Sequence, residues 1–252
     1  MEMPDTLAWR RKYGVVTPST NTVVQPEYDA MRPPGVTNHI ARMHIPDEKV
    51  RSDRDFDELI RRIDVALEEA VDRVVTCRPD HLVLGISAES IWGGGLEPSR
   101  RIAARIRARA GELPVTQAAD ALPAAFDALG IGRSIGLLTP YFPVAEKHLV
   151  EFFAIFGKSV TRAVHLACEG PVEIGHTTER QLIDALRRID GPDIDAIVQF
   201  GANLPMGRLA AEAERWLDKP VLAVNTVTYW HALRSGGIAD RLYGFGRLFW
   251  EH

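Results

Sequence analysis

Four short turns carry the residue types that could hold and move charge on a small molecule. Thr17, Pro18, Ser19, Thr20, Asn21 and Thr22 follow an apolar run and precede a helical pattern. Backbone N–H groups at such a helix start, together with the positive end of its dipole, favour an anion. Ser19 and Thr20 add short-reach donors, and the Asn21 amide offers both a donor and an acceptor. The same residues would also serve as an ordinary helix cap, with Ser19 or Thr20 accepting from the first turn.

The second turn runs from Leu84 through Gly85, Ile86, Ser87, Ala88 and Glu89 to three consecutive glycines, Gly93 to Gly95. Glycine permits close backbone approach to a ligand. Ser87 is placed to donate to a developing oxyanion. Glu89 is a carboxylate just past a buried strand, where weaker solvation would raise its pKa toward the range useful for proton transfer. Its alternative is an acid in the first turn of a helix, facing water. In the second half, Thr139, Pro140 and Tyr141 form one strand end, and Gly201, Ala202 and Asn203 follow another. Tyr141 occupies the place of Ser19 in the earlier turn and would present its hydroxyl to a cleft. Asn225 to Thr228 reads as a cap, Trp230 and His231 as packing residues, and Arg42 with His44 as a solvated rim.

The elements that must position these turns follow from periodicity. Apolar runs of four to six residues, each bounded by turn signals and followed by a longer helical pattern, are the mark of parallel strands buried on both faces. Strands are expected at 13–17, 38–43, 81–85, 115–117, 134–139, 159–165, 196–200 and 221–225. Helices are expected at 22–31, 56–76, 99–110, 122–129, 144–156, 179–189, 207–217 and 228–233. Gly14-Val15-Val16-Thr17-Pro18 and Gly136-Leu137-Leu138-Thr139-Pro140 are near copies about 120 residues apart. Each is followed in the same order by an Asp-led strand, a helix rich in Ala and Arg, and a Pro-Val pair. The chain therefore reads as an internal repeat of the α/β class: two pseudo-twofold lobes, each a mainly parallel sheet flanked by helices, with the cleft between them. The lobes are placed at 1–130 and 131–252, with the last helix crossing back to the first. Ligands in open α/β sheets sit beyond the carboxyl ends of the strands, which is where all four turns fall.

Composition narrows the function. The 252 residues are 46% hydrophobic, enough for a filled core, and the net charge of −4 is spread along the chain. No basic face for nucleic acid or anionic lipid stands out, and no run approaches a membrane span or a secretion signal. A cytoplasmic location is the expectation. Cys77 and Cys168 are the only cysteines. Neither lies in a zinc or redox spacing, and the histidines form no metal motif, so no metal or cofactor is called for.

The phrases at Gly14 to Thr22 and Leu137 to Tyr141, with the turns at Gly85 and Gly201, resemble the Asp/Glu racemase superfamily. Within it they are similar to the branch of maleate cis-trans isomerases and arylmalonate decarboxylases, over nearly the whole chain. The resemblance implies a cofactor-free enzyme that holds a small carboxylate with backbone N–H groups, Asn21 and Tyr141, and it leaves a homo-oligomer open. It implies cysteines at two strand ends in the isomerases and racemases and, in the decarboxylases, one at the second of them that protonates an enediolate; the best-matching positions here are Gly85 and Gly201, so both are lacking. Glycine neither attacks nor carries a proton, so the two-thiol mechanism is not expected. Ser87 matches a hydroxyl of the decarboxylase oxyanion hole, while Ile86 stands where a threonine donor would be. The leading expectation is a lyase or isomerase acting through an enolate-like intermediate, with Glu89 as proton carrier. The substrate would be a small carboxylic or dicarboxylic acid held at Pro18, Ser19, Asn21, Gly85, Ile86, Gly201, Ala202 and Asn203. The alternatives are a hydrolase or lyase on a lactam- or hydantoin-like ring, and a catalytically silent carboxylate-binding protein.

Overall fold

Runs such as Tyr13 to Val16 and Ile135 to Leu138 have no polar side to show water, so each must lie inside a sheet covered on both faces. In the computed structural model, which describes residues 5–49, 52–88 and 95–252, they do. Strands β1 (Arg11–Pro18), β2 (Val36–Met43), β3 (His81–Leu84) and β4 (Val115–Thr116) form one parallel sheet in the order β2-β1-β3-β4. Strands β5 (Ser134–Thr139), β6 (Ser159–His165), β7 (Ala196–Gln199) and β8 (Val221–Ala223) form a second in the order β6-β5-β7-β8. The two orders are the same when each sheet is counted from its own first strand, as the repeat requires.

The helices are α1 (Val24–Met31), α2 (Asp53–Val65), α3 (Leu67–Val75), α4 (Glu97–Ala110), α5 (Ala118–Ala128), α6 (Val144–Ile155), α7 (Pro171–Gly175), α8 (Glu179–Ile189), α9 (Gly207–Leu217), α10 (Val224–Ser235) and α11 (Arg247–Glu251). The single helix expected over 56–76 is instead two. At Ala66 the amide bonds to Ile63 O, three residues back rather than four, and the axis breaks there. The break lets Leu67, Val71 and Val74 of α3 pack in the core under the first sheet, while Leu59, Ile60 and Ile63 of α2 reach the pocket described below. The short helices α7 and α11 are absent from the sequence expectation, since five residues carry too little periodicity to register.

Each sheet is roofed by a helix from the other half. From α10, Ala232 O accepts a hydrogen bond from Tyr13 Oη of β1 at 2.9 Å, and Tyr229 stacks on Tyr28 of α1 with ring centroids 4.7 Å apart. Conversely, Phe126 of α5 meets Phe153 of α6 at 6.2 Å. One apolar cluster consequently runs through both halves, from Tyr13, Val15 and Val83 to Leu137, Val198 and Phe200.

Close approach between layers is set at Gly136, where an added Cβ would stand 2.1 Å from Ile189 Cγ2 of α8. Ile189 is itself fully buried, so neither side has room to yield. Gly136→Ala is expected to destabilise the fold by about 1–3 kcal/mol, the usual cost of overpacking a filled core. Urea unfolding monitored by circular dichroism measures it.

Candidate active site

The ends of β1, β3, β5 and β7 converge on one pocket of about 470 Å³, its open mouth included. Of the residues singled out by sequence, Pro18, Asn21, Ile86, Ser87, Tyr141, Ala202 and Asn203 line it. Ser19, Gly85 and Gly201 stand behind the wall, and Glu89 lies outside the described residues. Ser87 is 1% exposed and Tyr141 7%, so the donors they supply sit where water competes little.

Three strand ends meet at Ser87. Its Oγ lies 3.1 Å from Tyr141 Oη, and the Ala202 N–H donates to it at 3.1 Å. A hydroxyl and a backbone amide from the second sheet thus both come within hydrogen-bond reach of one hydroxyl from the first. The turns that carry them are held from behind. Thr17 Oγ1 donates to Gly85 O at 2.8 Å, and Gln199 Nε2 donates to Gly201 O at 2.8 Å. Gly201 has φ +148°, and an added Cβ would meet Pro140 Cδ at 2.3 Å, so only glycine lets the β7 turn lie this close to the β5 turn.

Asn21 plays a narrower part than its chemistry allowed. Its Oδ1 accepts from the amides of Val23 and Val24, both at 2.9 Å, and so starts α1. That fixes which end of the side chain is which: the oxygen is spent on the helix, and only the NH₂ group remains to offer a ligand. Ser19 is a structural residue, with its Oγ donating to Ile45 O at 3.1 Å and accepting from Ile45 N at 3.0 Å. The Asn203 amide is likewise committed: Oδ1 accepts from Thr22 N at 2.9 Å and Nδ2 donates to Pro171 O at 2.7 Å. It borders the pocket while tying α7 and the β7 turn to the start of α1. Arg42 donates to Asn21 O at 2.8 Å and braces the same turn from outside the pocket.

The register corrects one pairing. Val16 sits beside Leu84 in the first sheet and Leu138 beside Gln199 in the second. With Gly14 and Gly136 equivalent, the counterpart of Gly85 is therefore Phe200, not Gly201, and the counterpart of Ser87 is Ala202. Matching glycine to glycine slips the alignment by one residue, whereas a parallel ladder counts every residue. The two residues joined by the hydrogen bond at the centre of the pocket are thus mates under the repeat. Phe200 is fully buried against Phe152 and Phe153.

No thiol reaches the pocket. Cys77 donates to Val74 O at 3.1 Å on α3, and Cys168 lies 3.8 Å from Thr177 Oγ1. Burial pushes both thiols up, away from the thiolate form. The wall that sequence reasoning missed is apolar: Ile45, Leu59, Ile60 and Ile63, with Pro171 and Ile174 of α7. The i, i+1, i+4 spacing of Leu59, Ile60 and Ile63 was visible, but it is the ordinary spacing of a core-facing stripe. None of the described lining residues carries a charge, and among the described residues no three His, Cys, Asp or Glu side chains gather as metal ligands would.

Known proteins share this fold. The chain is 27% identical to a maleate isomerase of Geobacillus stearothermophilus, over 94% of this chain and 96% of that one. A solved maleate cis-trans isomerase of Nocardia farcinica, a cysteine-to-serine variant carrying a covalently bound succinylcysteine intermediate, superposes with a TM-score of 0.86. It is 24% identical and covers 96% of this chain and 99% of its own. A liganded variant of arylmalonate decarboxylase superposes with a TM-score of 0.81 at 22% identity, over 96% of this chain and 100% of its own. The family model described as arylmalonate decarboxylase matches residues 50–249. This chain belongs to the arylmalonate decarboxylase family and is an enzyme of the Asp/Glu racemase superfamily, in the branch that also holds the maleate isomerases.

Proposed function

We propose that the chain is a cofactor-independent lyase that decarboxylates a small malonate-type acid bearing an apolar substituent, through an ene-diolate held at the Ser87 and Tyr141 hydroxyls, which the Ala202 amide helps to place through its bond to Ser87. The observation that carries this reading is the convergence of those groups at one end of a pocket whose other described lining residues are uncharged. Donors preorganised in a water-poor site favour a charge that develops during reaction over one already present in the substrate. The NH₂ group of Asn21 supplies a further contact for the retained carboxylate.

In the reaction the bond from Cα to the departing carboxylate breaks, CO₂ leaves, and the electron pair enters the ene-diolate. Cα then takes a proton. With no thiol at the pocket, Glu89 is assigned that proton on its place in the sequence, two residues past Ser87, and it is reprotonated by water. The isoleucine-rich wall favours the lyase reading over maleate isomerisation. A second retained carboxylate would need its own donors, and Ile45, Leu59, Ile60 and Ile63 provide none.

Phenylmalonate and maleate separate the two readings. Proton NMR of the incubated enzyme is expected to show phenylacetate accumulating from the first and no fumarate from the second; the reverse result overturns the proposal. Stabilisation of the fold by either acid in a thermal-shift assay without conversion would identify a binding protein instead.

Tyr141→Phe and Ser87→Ala are each expected to lower kcat/KM on phenylmalonate by about a hundredfold, the typical loss for one oxyanion donor. Glu89→Gln is expected to abolish product formation, and full activity in that variant removes it from the mechanism. The double variant Cys77→Ser, Cys168→Ser should keep wild-type rates, and iodoacetamide should leave the native enzyme active. Inactivation by the reagent would return a thiol to the chemistry.

A further inference from the structure

A carboxyl group outside the pocket is wired to Ala202, the residue whose N–H meets Ser87. Glu27 lies on α1, yet both of its oxygens are engaged by the second half of the chain. Oε1 accepts from Gly207 N, the first residue of α9, at 2.7 Å, and Oε2 accepts from Asn225 Nδ2 of α10 at 2.7 Å. The other Nδ2 proton of Asn225 goes to Ala202 O at 2.9 Å. Both protons of that amide are thereby assigned, one to Glu27 and one to the residue whose N–H meets Ser87. Asn225 is 3% exposed, and neither it nor Glu27 lines the pocket.

Every partner of Glu27 is a donor, so the geometry is that of an ionised, acceptor-only carboxylate. A protonated carboxyl would aim its O–H at Gly207 N or at Asn225 Nδ2, and the second clash is relieved only by turning the Asn225 amide over, which takes its donor from Ala202 O. We propose that Glu27 is a positioning residue: through Asn225 its carboxylate fixes the Ala202 carbonyl, and with it the turn that aims the Ala202 N–H, one peptide unit earlier, at Ser87. This rests on the ene-diolate reading above for its effect on turnover, but not for the hydrogen-bond chain itself.

The group is poised to titrate. Burial pushes the Glu27 carboxyl up to about 7, against the downward pull of hydrogen bonds from Asn225, Gly207 and Met206. α9 and α10 present those three donors, and the titratable neighbour on α1 is Tyr28, held above its ordinary value by burial and then by Glu27. No cation is among the groups that shift Glu27. Because the folded-state value lies above the ordinary 4.5, the folded chain keeps this proton between about 4.5 and 7 while the unfolded chain does not. The Glu27 contribution to stability is therefore present below that window and lost as pH rises through it, whereas the working geometry forms as pH rises. Stability and turnover should run in opposite directions with pH.

Glu27→Gln places a donor where an acceptor is needed. It is expected to lower kcat on phenylmalonate by about tenfold to a hundredfold with KM changed less than about threefold, as displaced reacting groups do. The rise of kcat through about pH 7 should vanish in that variant. In an Asn225→Ala background the same substitution should cost less than about twofold more, since the connection is already cut. The Ala202 amide, assigned in ¹⁵N-labelled protein by its loss in Ala202→Gly, reads the geometry without any turnover. In the native protein its shift should titrate with a midpoint near pH 7, and in Glu27→Gln it should not. A native Ala202 amide that is invariant from pH 5 to pH 9 overturns the proposal, as does a folded Glu27→Gln variant with unchanged kcat. Failure to decarboxylate phenylmalonate together with a titrating Ala202 amide would sink the assigned reaction and leave the role of Glu27 standing.

Discussion

The hydrogen bond from the Ala202 amide to the Ser87 hydroxyl is the point where the two halves of the chain share a task. Everything that positions the pocket can be read as serving it. β3 delivers Ser87 and β7 delivers Ala202, each from the centre of its own parallel sheet. Thr17 and Gln199 hold the carbonyls of the two turns, and the absent side chain of Gly201 lets the second turn come close to Pro140. Such a contact is worth only about 1 kcal/mol to the fold, yet it decides where two polar groups point at the centre of the pocket.

Polarity and apolarity are divided within that pocket in a way that suits chemistry on a carbon acid. Ser87, Tyr141 and Ala202 gather at one end, while isoleucine and leucine line another part of the wall. The solved Nocardia farcinica maleate cis-trans isomerase variant carries a covalently bound succinylcysteine intermediate. Here both thiols lie elsewhere and burial disfavours their thiolate form, so the pocket is left with oxygen and nitrogen groups.

Much of the fold was legible because its signals are local and strong. The strands at 134–139 and 159–165 and the helices at 179–189 and 207–217 coincide with their expected bounds, since continuous apolar runs and regular amphipathic spacing leave few alternatives. The doubled phrase ending in Thr-Pro gave the topology. What was not legible depends on contacts between distant segments. The break at Ala66 shows no proline or glycine, and α7 and α11 are too short to have a period. Ser19 and Asn21 read as equals in the sequence, but Ile45 claims the first entirely and the start of α1 claims the oxygen of the second. The exchange of Phe200 for Gly201 as the mate of Gly85 needed the ladder register. Glu27 gave no signal at all, because its partners Gly207 and Asn225 lie some 180 residues away or more.

The crossed roofing helices also say something about how such a protein can be divided. A fragment that stopped after α5 would retain a helix whose Phe126 belongs against α6 and would lack the α10 that covers Tyr13 and Tyr28. Its remainder would be short of cover in the complementary way. Two copies of one such half, each lending its last helix to the other, would make good both deficits at once, so the duplicated chain has the form of a helix-exchanged dimer joined end to end.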